Sequence, residues 1–135
     1  MRAVYTLTES HIQQLHELYQ QERWSKNRTL EETRRVVAGS QVCIGLLDDD
    51  DRLVGFTRVV TDFTFKALIF DVIVAHSERG QGLGERLMNL VKSHARLRGV
   101  RHFELYCYPE MFAFYKRYGF SEDVGEIRLM RCVNV

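Results

Sequence analysis

The chain has 135 residues, 45% of them hydrophobic and 27% charged, which is room for one soluble domain, residues 1–135, with a core of its own. Lys and Arg number 19 against 18 for Asp and Glu; a formal net charge of +1 argues against nucleic acid as partner, since dedicated binders carry a basic excess. No apolar run is long enough to span a membrane, and the opening Met1-Arg2-Ala3-Val4-Tyr5-Thr6 has no signal-peptide apolar region, so a cytoplasmic protein without a membrane partner is expected. Cys43, Cys107 and Cys132 are odd in number and form no Cys-x-x-Cys pair, which predicts buried free thiols. His11, His16, His76, His94 and His102 lack ligand spacing, so no metal is expected.

In chain order, residues 2–7 read as a short strand. Thr8 or Ser10 can cap a helix whose apolar face carries Ile12, Leu15, Leu18 and Tyr19. Thr29-Leu30-Glu31-Glu32 has the capping-box pattern and predicts a second helix ending near Gly39. Residues 41–47 and 53–61 are apolar runs joined by the acidic turn 48–51, a hairpin signal with a solvated tip. Residues 67–74 are nearly continuous in apolar side chains, as in a strand buried on both faces. A helix follows with Leu83, Leu87, Leu90, Val91 and Leu97 on one face, then a strand over 102–106. An aromatic-rich helix over 111–118, stopped by Gly119, and a strand over 126–133 complete a βααβββαβαβ order, the pattern of a mixed α/β domain.

Between the third apolar run and its helix lies Glu78-Arg79-Gly80-Gln81-Gly82-Leu83-Gly84-Glu85. Glycines at alternate positions expose backbone N–H groups at a helix N-terminus, where the dipole also favours a phosphate, and Arg79 adds a cation. A Walker A string is absent. A dinucleotide fingerprint fails because Glu85 occupies its third glycine position, and only about 30 residues follow Glu104, the acid at ribose-binding distance.

Arg79-Gly80-Gln81-Gly82-Leu83-Gly84 resembles the Arg/Gln-x-x-Gly-x-Gly/Ala signature of the GNAT superfamily of N-acetyltransferases. Asp71-Val72-Ile73-Val74 resembles the strand before that loop, and Tyr115-Lys116-Arg117-Tyr118-Gly119-Phe120 a second family signature. The resemblance implies a mixed, mostly antiparallel twisted sheet flanked by helices, with splayed central strands. It implies acetyl-CoA as cosubstrate, its pyrophosphate on the amides of Arg79, Gly80, Gln81, Gly82, Leu83 and Gly84. Its pantetheine arm would pair with Val72, Ile73 and Val74, where a backbone N–H also stabilises the oxyanion. Attack by the amine is direct, so Cys107 is expected as a buried thiol and not a nucleophile.

Tyr115 corresponds to the family tyrosine that protonates the departing thiolate, with Tyr118 as its rival. The family often has Asn seven residues before that tyrosine; Tyr108 stands there. Asp71 and Glu104 are the candidate general bases through water, Asp71 having the alternative of a buried structural carboxylate. Trp24, Arg28, Arg58, Phe63 and Phe65 are candidates for the acceptor pocket, the arginines for a carboxylate on the acceptor or for surface ion pairs. The expected activity is acetylation of a primary amine on a small molecule, by a monomer or homodimer. The alternatives are a peptide or protein acceptor, or an idle coenzyme A-binding regulatory module.

Overall fold

The computed structural model describes residues 1–134. The elements are β1 (Arg2–Val4), α1 (Glu9–Gln20), α2 (Leu30–Ala38), β2 (Val42–Leu47), β3 (Leu53–Thr61), β4 (Lys66–Val74), α3 (Leu83–Ser93), β5 (His102–Leu105) and α4 (Phe112–Lys116). Both early helices start on reciprocal caps. Thr29 Oγ1 accepts from the Glu32 N–H (3.0 Å) while Glu32 Oε1 accepts from the Thr29 N–H (2.9 Å). At α1 the cap is Thr8, with His11 as the reciprocal side chain (3.2 Å each way).

The sheet runs β1-β2-β3-β4-β5 in sequence order. The first three pairings are antiparallel and β4–β5 is parallel, as a crossover through α3 requires. β2 is buried at all six successive residues, so both sheet faces are covered. α1 and α2 pack on each other, and α1 on β3; α3 packs on β2, β3 and β4. The hairpin tip is organised by Asp48, whose Oδ1 accepts from the N–H groups of Asp50 and Arg52 (2.9 Å each).

Three sequence expectations need correction. β4 is not buried on both faces: Ala67, Ile69 and Ile73 are buried, while Phe70, Asp71, Val72 and Val74 are half-exposed. The cause is its neighbour. β5 pairs with β4 only from Lys66↔His102 to Ile69↔Leu105, so β4 continues to Val74 with no ladder partner on that edge among the described residues. This is the splay. Residues 126–133 form no strand, and Ile127, Leu129, Met130 and Val133 are exposed. Strand alternation there would set Arg131 among Ile127, Leu129 and Val133 on one face, a poor pattern for a ladder. The helix after the glycine turn stops at Ser93 because His94 is extended (φ −62°, ψ 126°) and accepts from the Arg96 N–H, starting a separate turn.

Leu87 on α3 is fully buried against the sheet. Leu87→Ala should lower unfolding free energy by about 2–5 kcal/mol, read as a shifted urea midpoint at unchanged slope.

Candidate active site

β4 ends at Val74, a single 3₁₀ turn (His76–Glu78) follows, and the glycine loop then delivers the chain to α3. Gly80 (φ 80°) and Gly82 (φ 78°) hold left-handed conformations, and a Cβ on either would meet nothing within 4 Å. Glycine is required there by φ, and the space above the loop stays open. Gly82 is the N-cap of α3 and no side chain caps that end, leaving its first N–H groups to the loop's concavity. Arg79 is tied to Glu22 of the α1–α2 segment, and the Gln81 amide donates to Glu78 (3.2 Å). The loop opens on a cavity of about 1040 Å3 whose other walls are Ile69 to Val74 of β4, Leu105 to Tyr108, and Phe114 and Tyr115 of α4. An uncapped helix terminus, two left-handed glycines and an arginine fit a phosphate-bearing cosubstrate such as acetyl-CoA.

The β4 wall is bent by a bulge. Phe56 pairs with Ile73 but Arg58 pairs with Phe70, so Thr57 faces the extra residue, and its hydroxyl donates to the Phe70 carbonyl (2.9 Å). Asp71, within the bulge, has φ 58°. Its carboxylate is enclosed: Arg28 donates through both terminal nitrogens (2.7 and 3.2 Å), Arg58 through Nε (2.7 Å) and Tyr19 through its hydroxyl (2.8 Å). The side chain is only 5% exposed although the residue as a whole is half-exposed, so the main chain of Asp71 is what faces the cavity. Burial pulls this carboxyl upward, but the hydrogen bonds and charges of Arg28 and Arg58 outweigh it, and its pKa falls below the usual range. Burial and the Asp71 charge push the Tyr19 phenol far above its ordinary value.

Across the slot, Tyr115 is 9% exposed and lies edge-on to Phe114 (5.0 Å) and Phe120 (6.1 Å). Burial, with the nearby Cys107 thiol contributing, pushes its pKa up to about 12. Tyr118 is absent from this wall and lines a second cavity behind β5. Cys43 is buried, Cys107 half-buried and Cys132 exposed, so the expectation of buried thiols holds fully for the first alone.

The sequence profile of the acetyltransferase (GNAT) family matches residues 5–120. The chain belongs to that family. An uncharacterized N-acetyltransferase of Porphyra purpurea is 31% identical over 110 residues, covering 79% of this chain and 63% of the relative. A chloroplastic serotonin N-acetyltransferase of rice is 38% identical over 79 residues, 58% of this chain and 40% of that protein. The chain thus spans less than two thirds of the length of these curated relatives. Among solved structures, an acetyltransferase assigned to the GNAT family from Xanthomonas campestris superposes with a TM-score of 0.83 at 30% identity, over 99% of this chain and 94% of its own.

Within this GNAT fold the predicted site residues separate into two groups. Val72, Ile73, Val74, Arg79, Gly80, Gly82, Leu83, Gly84, Tyr115 and Trp24 all line one cavity, with Gln81 in the same loop. Five others lie elsewhere. Glu104 pairs with Lys66 (3.0 Å) and faces the second cavity. Phe63 and Phe65 sit in the β3–β4 turn under Arg96 and Arg101, at the far end of β4. Arg28 and Arg58 serve Asp71, so neither fork is open to an acceptor carboxylate. Sequence reasoning passed over Tyr19, Glu22, Phe70 and Tyr106. The lone carboxylate in the apolar run at 67–74 was the available signal for a buried polar cluster, but it named no partner.

Asp71→Asn should destabilise the protein by about 3 kcal/mol at pH 7, since two partly buried guanidinium groups lose a buried counter-charge. A depressed carboxyl pKa contributes stability above the unfolded-state value of about 3.9 and loses it as pH falls through the folded value. Urea titrations of wild type and variant should therefore begin to converge as pH falls below about 4 and meet only below the depressed folded-state value.

Proposed function

We propose that the chain transfers the acetyl group of acetyl-CoA directly to a primary amine of a small molecule. The observation that carries this reading is convergence: the uncapped α3 terminus with Gly80 and Gly82, the β4 bulge and Tyr115 all open on one cavity. Amides from Gly80 to Gly84 would hold the phosphates, and the unpaired edge of Val72 to Val74 offers main-chain partners to the pantetheine arm. When bound, acetyl-CoA supplies an activated acetyl thioester. The amine lone pair forms the new C–N bond and the C–S bond breaks with its electron pair on sulfur. Nitrogen loses one proton and sulfur gains one.

The bulge interrupts the β3–β4 ladder and leaves an amide in the cavity wall that can donate to the thioester oxygen as charge develops there. The Tyr115 hydroxyl serves the departing sulfur. Full transfer from a phenol at about 12 to an alkyl thiolate with an ordinary pKa of about 8.5 is uphill by about 5 kcal/mol. Tyr115 therefore works chiefly by hydrogen bonding to the developing charge and passes its proton only as nitrogen loses one. With the Asp71 carboxylate enclosed and Glu104 on the other cavity, the amine binds uncharged and its surplus proton leaves to water in the open cavity. Three free thiols suit a reducing compartment, the cytoplasm or a plastid like the one in the rice relative's name.

Tyr115→Phe should lower kcat on the order of 100-fold in a thiol-release assay, while coenzyme A still raises the melting temperature as in wild type. Equal loss of both would assign Tyr115 to the core alone. Neither Asp71 nor Tyr115 changes protonation between about pH 6 and 9, so kcat/KM should climb with pH in step with the acceptor's own ammonium group, without a descending limb in that window. A descending limb would show that an unassigned acid is needed.

A further inference from the structure

We propose that the acceptor end of the cavity is shaped for an amine carried on an aromatic ring. This rests on the acetyl-transfer reading above and names the acceptor class for the same site. Phe70 lies four residues before Val74, about 13 Å back along β4 from the glycine loop, at the point where β5 departs. Tyr106 packs on Phe70, and Trp24 from the α1–α2 segment and Tyr108 from the chain after β5 line the same cavity. Trp24, Tyr106 and Tyr108 are 39%, 56% and 50% exposed. Single exposed aromatics are commonplace, but three exposed rings beside Phe70 on one cavity wall form a concentrated aromatic surface.

Their orientations are set by the protein. Tyr106 meets Phe70 edge-on (5.8 Å, 73°), Trp24 meets Tyr19 edge-on (6.4 Å, 69°), and the Arg23 guanidinium lies 4.6 Å over the Tyr108 ring. Held this way, the rings offer a planar guest both edges and faces.

Charge selects further. The carboxylates on this part of the wall are already matched: Glu22 with Arg79, Glu110 with Arg23 (3.2 Å) and Asp71 with two arginines. A polyamine, an aminoglycoside or a lysine-rich peptide would bring several cations to a stretch of wall whose carboxylates, Glu22, Glu110 and Asp71, already have cationic partners. An arylalkylamine brings a single nitrogen and an apolar ring.

The test is thiol release by the purified chain with 2-phenylethylamine, tryptamine, 2-cyclohexylethylamine, spermidine and a lysine-containing peptide. The aromatic amines should exceed the cyclohexyl compound about three- to tenfold in kcat/KM, and spermidine and the peptide by more than tenfold. Trp24→Ala and Tyr106→Ala should each raise KM for 2-phenylethylamine about tenfold and leave KM for acetyl-CoA unchanged, with Trp24→Phe largely restoring the former. Parity of the phenyl and cyclohexyl compounds, preference for spermidine or the peptide, or no change in either alanine variant overturns the inference. Calorimetric titration of 2-phenylethylamine and spermidine into the coenzyme A-saturated protein reads the pocket without turnover. If no amine releases thiol, the acetyl-transfer reading falls; selective binding of 2-phenylethylamine then still supports the aromatic site, and its absence overturns that too.

Discussion

The backbone at Asp71 sits in a conformation that costs a non-glycine residue about 1–3 kcal/mol, and it sits there at the bend of the cavity wall. Four hydrogen bonds, three of them from guanidinium groups, hold its carboxylate on the side away from the cavity. Breaking such a buried set costs about 3–5 kcal/mol, so the interaction outweighs the strain and fixes the bend. With the side chain anchored, the main chain of the bulge is what the cavity receives. On the proposed mechanism the ordinary role of an acid in an active site is inverted: Asp71 orients an amide and stays out of the proton transfer.

The donors to Asp71 come from three elements. Tyr19 is on α1, Arg28 lies just before α2, and Arg58 is on β3, with its Nη1 also reaching Ser40 (3.3 Å). The α1–α2 segment is tied a second time by Glu22, which faces Arg79 of the glycine loop and lies 3.5 Å from His76, and by Gln21, which accepts from the His76 N–H (3.4 Å). The segment bearing Trp24 is thus strapped both to the bulge and to the glycine loop, and the two ends of the cavity share one support.

Much of this was legible in the sequence because it is local. Thr29 and Glu32 cap at three-residue spacing, Asp48 closes its own turn, and the alternate glycines and Tyr115 belong to contiguous motifs. What escaped is long-range. Asp71 finds its partners 13, 43 and 52 residues away, and no local pattern marks it for a positive φ. Periodicity likewise overrated residues 126–133, which have strand-like composition but no ladder, and it overrated the burial of β4, whose exposure is set by where β5 stops.

The single parallel pairing has a further consequence for assembly. β2–β3 and β3–β4 are hairpins with short turns, whereas β5 lies beside β4 only across a parallel crossover that carries α3. The β4–β5 pairing, like β1–β2, closes a large loop and comes after the hairpins. The cavity therefore comes into being only once β5 is laid beside β4, and until then β4 is an open edge rich in Ile, Val and Phe. A chain interrupted before His102 would lose the site and expose the stretch of strand most prone to join a neighbour.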